Sequence, residues 1–109
     1  MNFNEYQKLA RQTAIYPKEY SIIYPALGLA GETGEVCEKI KKVLRDKEGE
    51  FLSKTFREDV IRECGDIFWY LANLAYDLEI DLDIIAQTNI AKLQDRQNRG
   101  TLKGSGDNR

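Results

Sequence analysis

The sequence predicts an all-α domain, because apolar residues recur with a helical period in four segments and no segment alternates as a half-buried strand would. The chain has 109 residues, 42% of them hydrophobic and 31% charged, which is typical of a single globular domain. Breaks fall at "YPKEYSIIYP", at "RDKEGE" and before Asp81. We therefore expect a four-helix bundle over residues 1–100 and a flexible Gly-rich polar tail over residues 101–109.

The first two helices are predicted over residues 4–14 and 25–44. Pro25 suits the first turn of a helix, where its missing N–H costs nothing. The polar stretch "RDKEGE" then ends the second helix. The predicted apolar faces consist of Tyr6, Leu9, Ala10 and Thr13 in the first helix, and of Leu29, Val36, Ile40 and Val43 in the second.

The third and fourth helices are predicted over residues 55–78 and 82–99. Thr55 and Glu58 have the spacing of a capping box, and Gly100 suits the left-handed residue that follows a helix. The apolar stripe of the third helix consists of Val60, Cys64, Ile67, Leu71, Leu74 and Leu78. Aromatic residues extend this stripe around the helix, so we expect a second subunit to cover Trp69 and Tyr70.

The composition excludes several classes of protein. The chain has no histidine, which removes Ser-His-Asp hydrolases and the usual zinc sites. A net charge of -2 gives no field that would attract nucleic acid or an anionic membrane. The first residues lack the pattern of a signal peptide, so we expect a cytoplasmic protein with no nucleic-acid or membrane partner. We expect Cys37 and Cys64 to be buried core residues.

Two segments in different helices repeat one pattern of acidic and glycine residues. "LAGETGEV" and "VIRECGDI" align as apolar, x, x, acid, x, Gly, acid, apolar. Antiparallel packing of these helices would bring the following four carboxylates together at the edge of the core: Glu32, Glu35, Glu63 and Asp66. Like charges are unfavourable there without a cation, and an all-oxygen site suits Mg²⁺ or Mn²⁺. The alternative interpretation is a set of solvated acids.

The glycines beside these acids and the charged residues that follow in the second helix can also be interpreted. Gly28, Gly31, Gly34 and Gly65 would leave room for a neighbouring backbone, a metal-bound water or a ligand. Glu38 and three lysines lie away from the apolar stripe, so we expect them to be solvated. These lysines are Lys39, Lys41 and Lys42.

The fourth helix carries a basic stripe. Asn89, Lys92, Arg96 and Arg99 recur at intervals that place them on one face. Lysine and arginine side chains bind phosphate oxygens, so this face could hold a phosphate chain, with Lys92 also stabilising charge during catalysis. The alternative is a basic last turn that interacts with the helix dipole.

Four segments together resemble the MazG-like nucleotide pyrophosphohydrolases of the all-α NTP pyrophosphatase superfamily, in their short single-domain form. The segments are "GLAGETGEVCE", "RECGDIFWYLANLA", "NIAKLQDRQNRG" and "GSGDNR". The resemblance implies that Glu32, Glu35, Glu63 and Asp66 are metal ligands in a catalytic site for Mg²⁺, with Mn²⁺ as a substitute. It implies hydrolysis of nucleoside triphosphates to a monophosphate and pyrophosphate, nucleotide-pool house-cleaning as a candidate role, and homodimers or homotetramers.

The resemblance also implies that the tail folds over bound nucleotide, with Lys103 and Arg109 supplying charge; a frayed terminus is the alternative. Three other functions stay open at this point. The chain could be a dUTP diphosphatase, a phosphoribosyl-ATP pyrophosphohydrolase-like enzyme, or a helical interaction module without catalysis. Base and sugar preference cannot be predicted from these residues.

Overall fold

A computed structural model describes residues 1–109 as four α-helices and one short 3-10 helix, with no strand. The helices are α1 (Phe3–Arg11), α2 (Ile23–Asp46), α3 (Lys54–Asp77) and α4 (Leu82–Arg99), and the 3-10 helix is Lys18–Tyr20. The predicted all-α class is confirmed. None of the helices is both long and apolar enough to cross a membrane.

Helices α2 and α3 form a long antiparallel hairpin. Each has 24 residues, which corresponds to a length of about 36 Å. Gly28 near the start of α2 lies against Tyr70 near the end of α3. Lys39, three turns further along α2, contacts Glu63 earlier in α3. Residue numbers along α3 therefore decrease as residue numbers along α2 increase. This is the antiparallel arrangement that was predicted to bring the two acidic segments together.

The buried core lies where α1 packs against α3 and the start of α4. It consists of the small residues Ala10, Ala72 and Ala75 together with Leu82. Gln7 is also buried there, and its amide nitrogen donates to the carbonyl oxygens of Ala72 (3.2 Å) and Ile80 (3.0 Å). Its amide oxygen accepts from the N–H of Leu82 at 3.1 Å. Gln7 thus supplies hydrogen-bond partners for the main-chain groups of Ile80 and Leu82 at the α3–α4 turn.

A second polar contact, at Asp77, fixes the connection between α1 and α2. The buried Asp77 carboxylate accepts from Arg11 Nη1 (2.8 Å), the Tyr16 hydroxyl (2.8 Å) and the Ile22 N–H (2.9 Å). Burial and the hydrogen bond to Asp77 raise the pKa of Tyr16 to about 12. Ile22 has a φ of 70°, which is unfavourable for a β-branched residue. The hydrogen bond from Ile22 to Asp77 stabilises this turn.

The ends of the first three helices differ from the prediction. Helix α1 ends at Arg11 rather than Ala14, and its start is a capping box of Asn2 and Glu5. Helix α3 begins after Ser53, whose hydroxyl accepts from the Phe56 N–H, so the predicted Thr55 capping box is wrong. Helix α2 extends over Ile23–Asp46 and holds its proline inside the first turn. Gly100 has a φ of 73°, as predicted for the residue that ends α4.

The predicted apolar faces are only partly correct. Leu9 and Thr13 are exposed, because α1 buries Gln7 and Ala10 instead. Cys37 and Cys64 are exposed and unpaired, so the prediction of buried cysteines is wrong for a single chain. The physical reason is the position of α4, which packs mainly on α1 and leaves much of the α2–α3 hairpin without cover.

Three aromatic residues of α3 contact other parts of the same chain and are half-buried. Phe68 packs edge-on against Tyr6, and Trp69 Nε1 donates to Thr13 Oγ1 at 2.7 Å. Tyr70 lies over Gly28. Helices α1 and α2 thus supply contacts for Trp69 and Tyr70 within one chain, and the expectation that a second subunit covers them stays a prediction.

The chain nevertheless exposes more surface than a compact monomer of its size. Its radius of gyration is 16.9 Å, whereas about 13 Å is usual for this length. Its accessible surface is 8196 Å², against about 6,200 Å² expected from its mass. The excess is consistent with a hairpin that extends beyond the core.

Gly28 and Gly34 in α2 are expected to respond in opposite ways to alanine. A Cβ atom at Gly28 would overlap the ring of Tyr70, whereas one at Gly34 would meet no atom within 4 Å. Gly28→Ala should lower the free energy of unfolding by about 1–3 kcal/mol through overpacking. Gly34→Ala should raise it by up to about 1 kcal/mol through helix propensity. Urea denaturation measures both, and a Gly28→Ala variant as stable as wild type would contradict this packing.

Candidate metal centre

Three carboxylates meet between α2 and α3. Glu32 comes from α2, while Glu63 and Asp66 lie one turn apart on α3. Each offers an oxygen, and these oxygens lie within 4.8 Å of one another. Opposite oxygen ligands of Mg²⁺ are separated by about 4 Å, so a small side-chain adjustment would let all three bind one cation. The donor set therefore fits a divalent metal ion.

The ionised form of Glu32 is disfavoured within this acidic group. The pKa of Glu32 is raised, first by burial and then by the negative charges of Asp66, Glu63 and Glu35. Burial and, less strongly, the Asp66 charge also raise the pKa of Tyr6. A raised pKa means that the charged form of Glu32 is destabilised. A bound cation would reverse this effect, because it stabilises the ionised carboxylates.

Glu35 is placed differently from the other three predicted ligands. Its side chain is exposed and is not part of the group of three. Its charge still contributes to the raised pKa of Glu32, one turn earlier on α2. The structure thus brings together three of the four predicted carboxylates and leaves the fourth beside them.

Lys39 is a contact of the acidic group that the sequence interpretation missed. Its Nζ lies 3.6 Å from Glu63 Oε1. The expectation that Lys39 is solvated is therefore wrong, although Lys41 does lie on the exposed side, where it pairs with Glu38. The helical spacing of Glu32, Glu35 and Lys39, at i, i+3 and i+7, could have revealed it. Lys39 partly neutralises the acidic group in the absence of a metal ion.

The predicted basic stripe lies on α4, but its cations already have partners. Lys92 Nζ is 3.2 Å from Asp107 Oδ1, and Arg96 Nη2 is 2.9 Å from the main-chain oxygen of Asp107. Arg99 binds Asp95 at 2.8 Å and the main-chain oxygen of Arg109 at the same distance. The C-terminal segment therefore packs along this face of α4.

The remaining predicted phosphate ligands occupy different surroundings. Asn89 and Lys103 are exposed. Arg109 donates to carbonyl oxygens of its own segment, at Thr101, Leu102 and Gly106. No hydrogen bond or ion pair joins the cations of α4 to the acidic group in a single chain.

The fold and the acidic group define an all-helical protein with a candidate site for a divalent cation between two antiparallel helices. A family model described as the MazG nucleotide pyrophosphohydrolase domain matches residues 25–101. The chain belongs to this family. The matched range contains all four predicted acids and the basic stripe of α4, whereas residues 102–109 lie outside it.

The chain is also similar to "Gene 37 protein" of Mycobacterium phage L5. The two are 44% identical over 115 aligned positions, and the alignment covers 100% of each chain. No solved structure matches the chain. Family membership supports nucleotide pyrophosphohydrolase activity in general, and the acidic group is a possible site for the divalent metal that this family typically uses.

Proposed function

We propose that the protein hydrolyses nucleoside or deoxynucleoside triphosphates to the monophosphate and pyrophosphate in the presence of Mg²⁺. The observation that carries this proposal is the group of Glu32, Glu63 and Asp66, whose oxygens lie within 4.8 Å of one another. Such a group could hold a divalent cation, and the MazG family match supports a nucleotide as the class of substrate. Removal of unwanted nucleotides is the role that this reaction would serve.

The residues of the site suggest how the reaction proceeds. Glu32, Glu63 and Asp66 would hold Mg²⁺, which neutralises phosphate charge and makes a bound water more acidic. Attack of a water on the α-phosphorus would break the bond between that phosphorus and the oxygen that bridges the α and β phosphates, so that pyrophosphate would leave and the monophosphate would keep the oxygen of the water. Glu35 lies outside the group of three and is exposed, so its carboxylate remains free to accept the proton of the water. Lys92 would stabilise charge on the phosphates.

A second copy of the chain would complete the site. A single chain exposes about 2,000 Å² more surface than its mass predicts. Two chains that buried this excess would bury about 4,000 Å² in total, which is in the range of obligate dimers. Large apolar side chains lie on the exposed hairpin, including Leu27, Leu44 and Ile61. The cations of α4 do not reach the acidic group of their own chain. We therefore propose a homodimer or homotetramer in which α4 of one copy approaches the acids of another.

Assembly is tested at Ile61, whose side chain on α3 is 70% exposed. Ile61→Asp should shift the wild-type dimer or tetramer towards monomer in sedimentation, because burial of the aspartate would leave a charge without a partner. Ile15→Asp, in the exposed connection after α1, is the control and should assemble like wild type. A monomeric wild-type protein at micromolar concentration would contradict the proposal.

The activity is tested with a panel of nucleotides and Mg²⁺, with separate detection of pyrophosphate and phosphate. The proposal predicts pyrophosphate and a nucleoside monophosphate as the products. Turnover of dUTP alone, or of phosphoribosyl-ATP alone, would indicate one of the narrower enzymes. Absence of turnover with every nucleotide would leave a metal-binding helical module as the explanation of the acidic group.

A further inference from the structure

The C-terminal segment (residues 101–109) turns back along the last turns of α4. The Thr101 N–H donates to the Arg96 carbonyl oxygen at 2.8 Å, so the reversal begins directly after the helix. Gly104 and Gly106 have φ values of 133° and 80°, which glycine adopts at little cost. Arg109 holds the resulting loop closed by donating to the main-chain oxygens of Thr101, Leu102 and Gly106.

This loop presents one carboxylate, that of Asp107, to the basic stripe of α4. Asp107 Oδ1 lies 3.2 Å from Lys92 Nζ and 3.3 Å from Arg96 Nη2. The same Arg96 nitrogen is 2.9 Å from the main-chain oxygen of Asp107. Hydrogen bonds from Lys92 and then Arg96 lower the pKa of Asp107, so this carboxylate is charged near neutral pH.

The side chains on the two sides of this contact differ in burial. The Arg96 side chain is 5% exposed, whereas the Asp107 side chain is 84% exposed. The arginine is therefore fixed under the loop, while the carboxylate can leave without disturbing any packed group. The main-chain contact of Arg96 would keep the loop in place after the carboxylate has left.

We propose that the Asp107 carboxylate is an internal competitor of the substrate phosphates for Lys92. The inference rests on the proposed function, in which this stripe binds a phosphate chain. Carboxylate and phosphate oxygens accept from the same lysine and arginine donors, so both cannot use Lys92 fully at one time. Arg96 acts as a positioning residue that holds the loop on α4.

The competition is expected to be modest. An exposed ion pair such as that between Lys92 and Asp107 is weak. The apparent affinity for substrate is the intrinsic affinity multiplied by the fraction of protein in which Lys92 is free, so we expect a change in binding of about fivefold. The Asp107 carboxylate would therefore lower the affinity for substrate without blocking the site.

The test is Asp107→Asn, which keeps the shape and the main-chain contact but removes the charge. The KM for a nucleoside triphosphate should fall about fivefold, with kcat within about twofold of wild type. In metal-free buffer, the affinity for inorganic tripolyphosphate, measured by calorimetry, should rise by a similar factor of about five. Glu19→Gln removes one charge from the exposed 3-10 helix and should change neither quantity.

Several results would overturn the proposal. A KM that is unchanged or raised in Asp107→Asn would show that the carboxylate does not compete. An equal fall in KM and an equal rise in tripolyphosphate affinity in Glu19→Gln would show a general effect of net charge. Absence of hydrolysis by the wild type would refute the proposed function, but the tripolyphosphate titration would still decide the competition. Unchanged or undetectable tripolyphosphate binding in both proteins would reject it.

Discussion

Asp66→Asn is expected to lower kcat for nucleotide hydrolysis on the order of a thousandfold, because it removes a ligand charge from the centre that stabilises the transition state. Asparagine has nearly the same shape as aspartate, so α3 should keep its structure. Asp66 belongs to both the group of three and the set of charges that raise the pKa of Glu32. Loss of its charge should weaken Mg²⁺ binding and reduce repulsion at the same time.

These two effects can be separated by thermal unfolding with and without Mg²⁺. Wild-type protein should gain about 2.7 kcal/mol of stability when Mg²⁺ is present at a hundred times its Kd, and Asp66→Asn should lose most of that gain. In EDTA, Asp66→Asn should be at least as stable as wild type, since one like charge has been removed. Glu38→Gln changes an exposed acid that pairs with Lys41 and should behave like wild type. An Asp66→Asn variant that responds normally to Mg²⁺ would contradict the metal site.

Lys92→Ala is expected to lower kcat on the order of a hundredfold, because Lys92 would stabilise charge that develops on the phosphates. Its effect on stability should be below about 1 kcal/mol, since its ion pair with Asp107 is largely exposed. Steady-state kinetics and urea denaturation of the same preparation measure both quantities.

Arg99→Ala is the comparison within the same helix. Arg99 is already bound to Asp95 and to the main-chain oxygen of Arg109, so its loss should reduce kcat less than the loss of Lys92. A Lys92→Ala variant with kcat within a few-fold of wild type would remove Lys92 from the proposed catalytic residues.

The four helices and the helix faces that carry the acids could be predicted from sequence, because both depend on the spacing of residues along the chain. The period of the apolar residues located four helices, and the two acidic segments placed four acids on facing stripes, of which Glu35 lies outside the group of three. The end of α1 at Arg11 was not predicted. Arg11 and Tyr16 both bind Asp77, more than 60 positions away, and helical periodicity does not report such a tertiary contact.

The contacts of charged side chains could not be predicted from the sequence either, because they depend on how the helices pack. Lys39 and Lys41 are both charged residues of one helix, and only the position of α3 decides which of them contacts Glu63. The pairing of Asp107 with Lys92 depends on two glycines that reverse the chain after α4. The exposure of Cys37 and Cys64 depends on where α4 packs, which apolar periodicity does not specify.

The Asp77 contacts have a consequence for the order of folding. The hairpin of α2 and α3 is closed by a short connection, so it can form early with little loss of chain entropy. Asp77 instead joins groups that are 66, 61 and 55 positions away, at Arg11, Tyr16 and Ile22. Docking of α1 should therefore be a late event. Because the Ile22 N–H is hydrogen-bonded to this side chain, its rate of hydrogen exchange reports how often α1 and the following turn open while the hairpin stays folded.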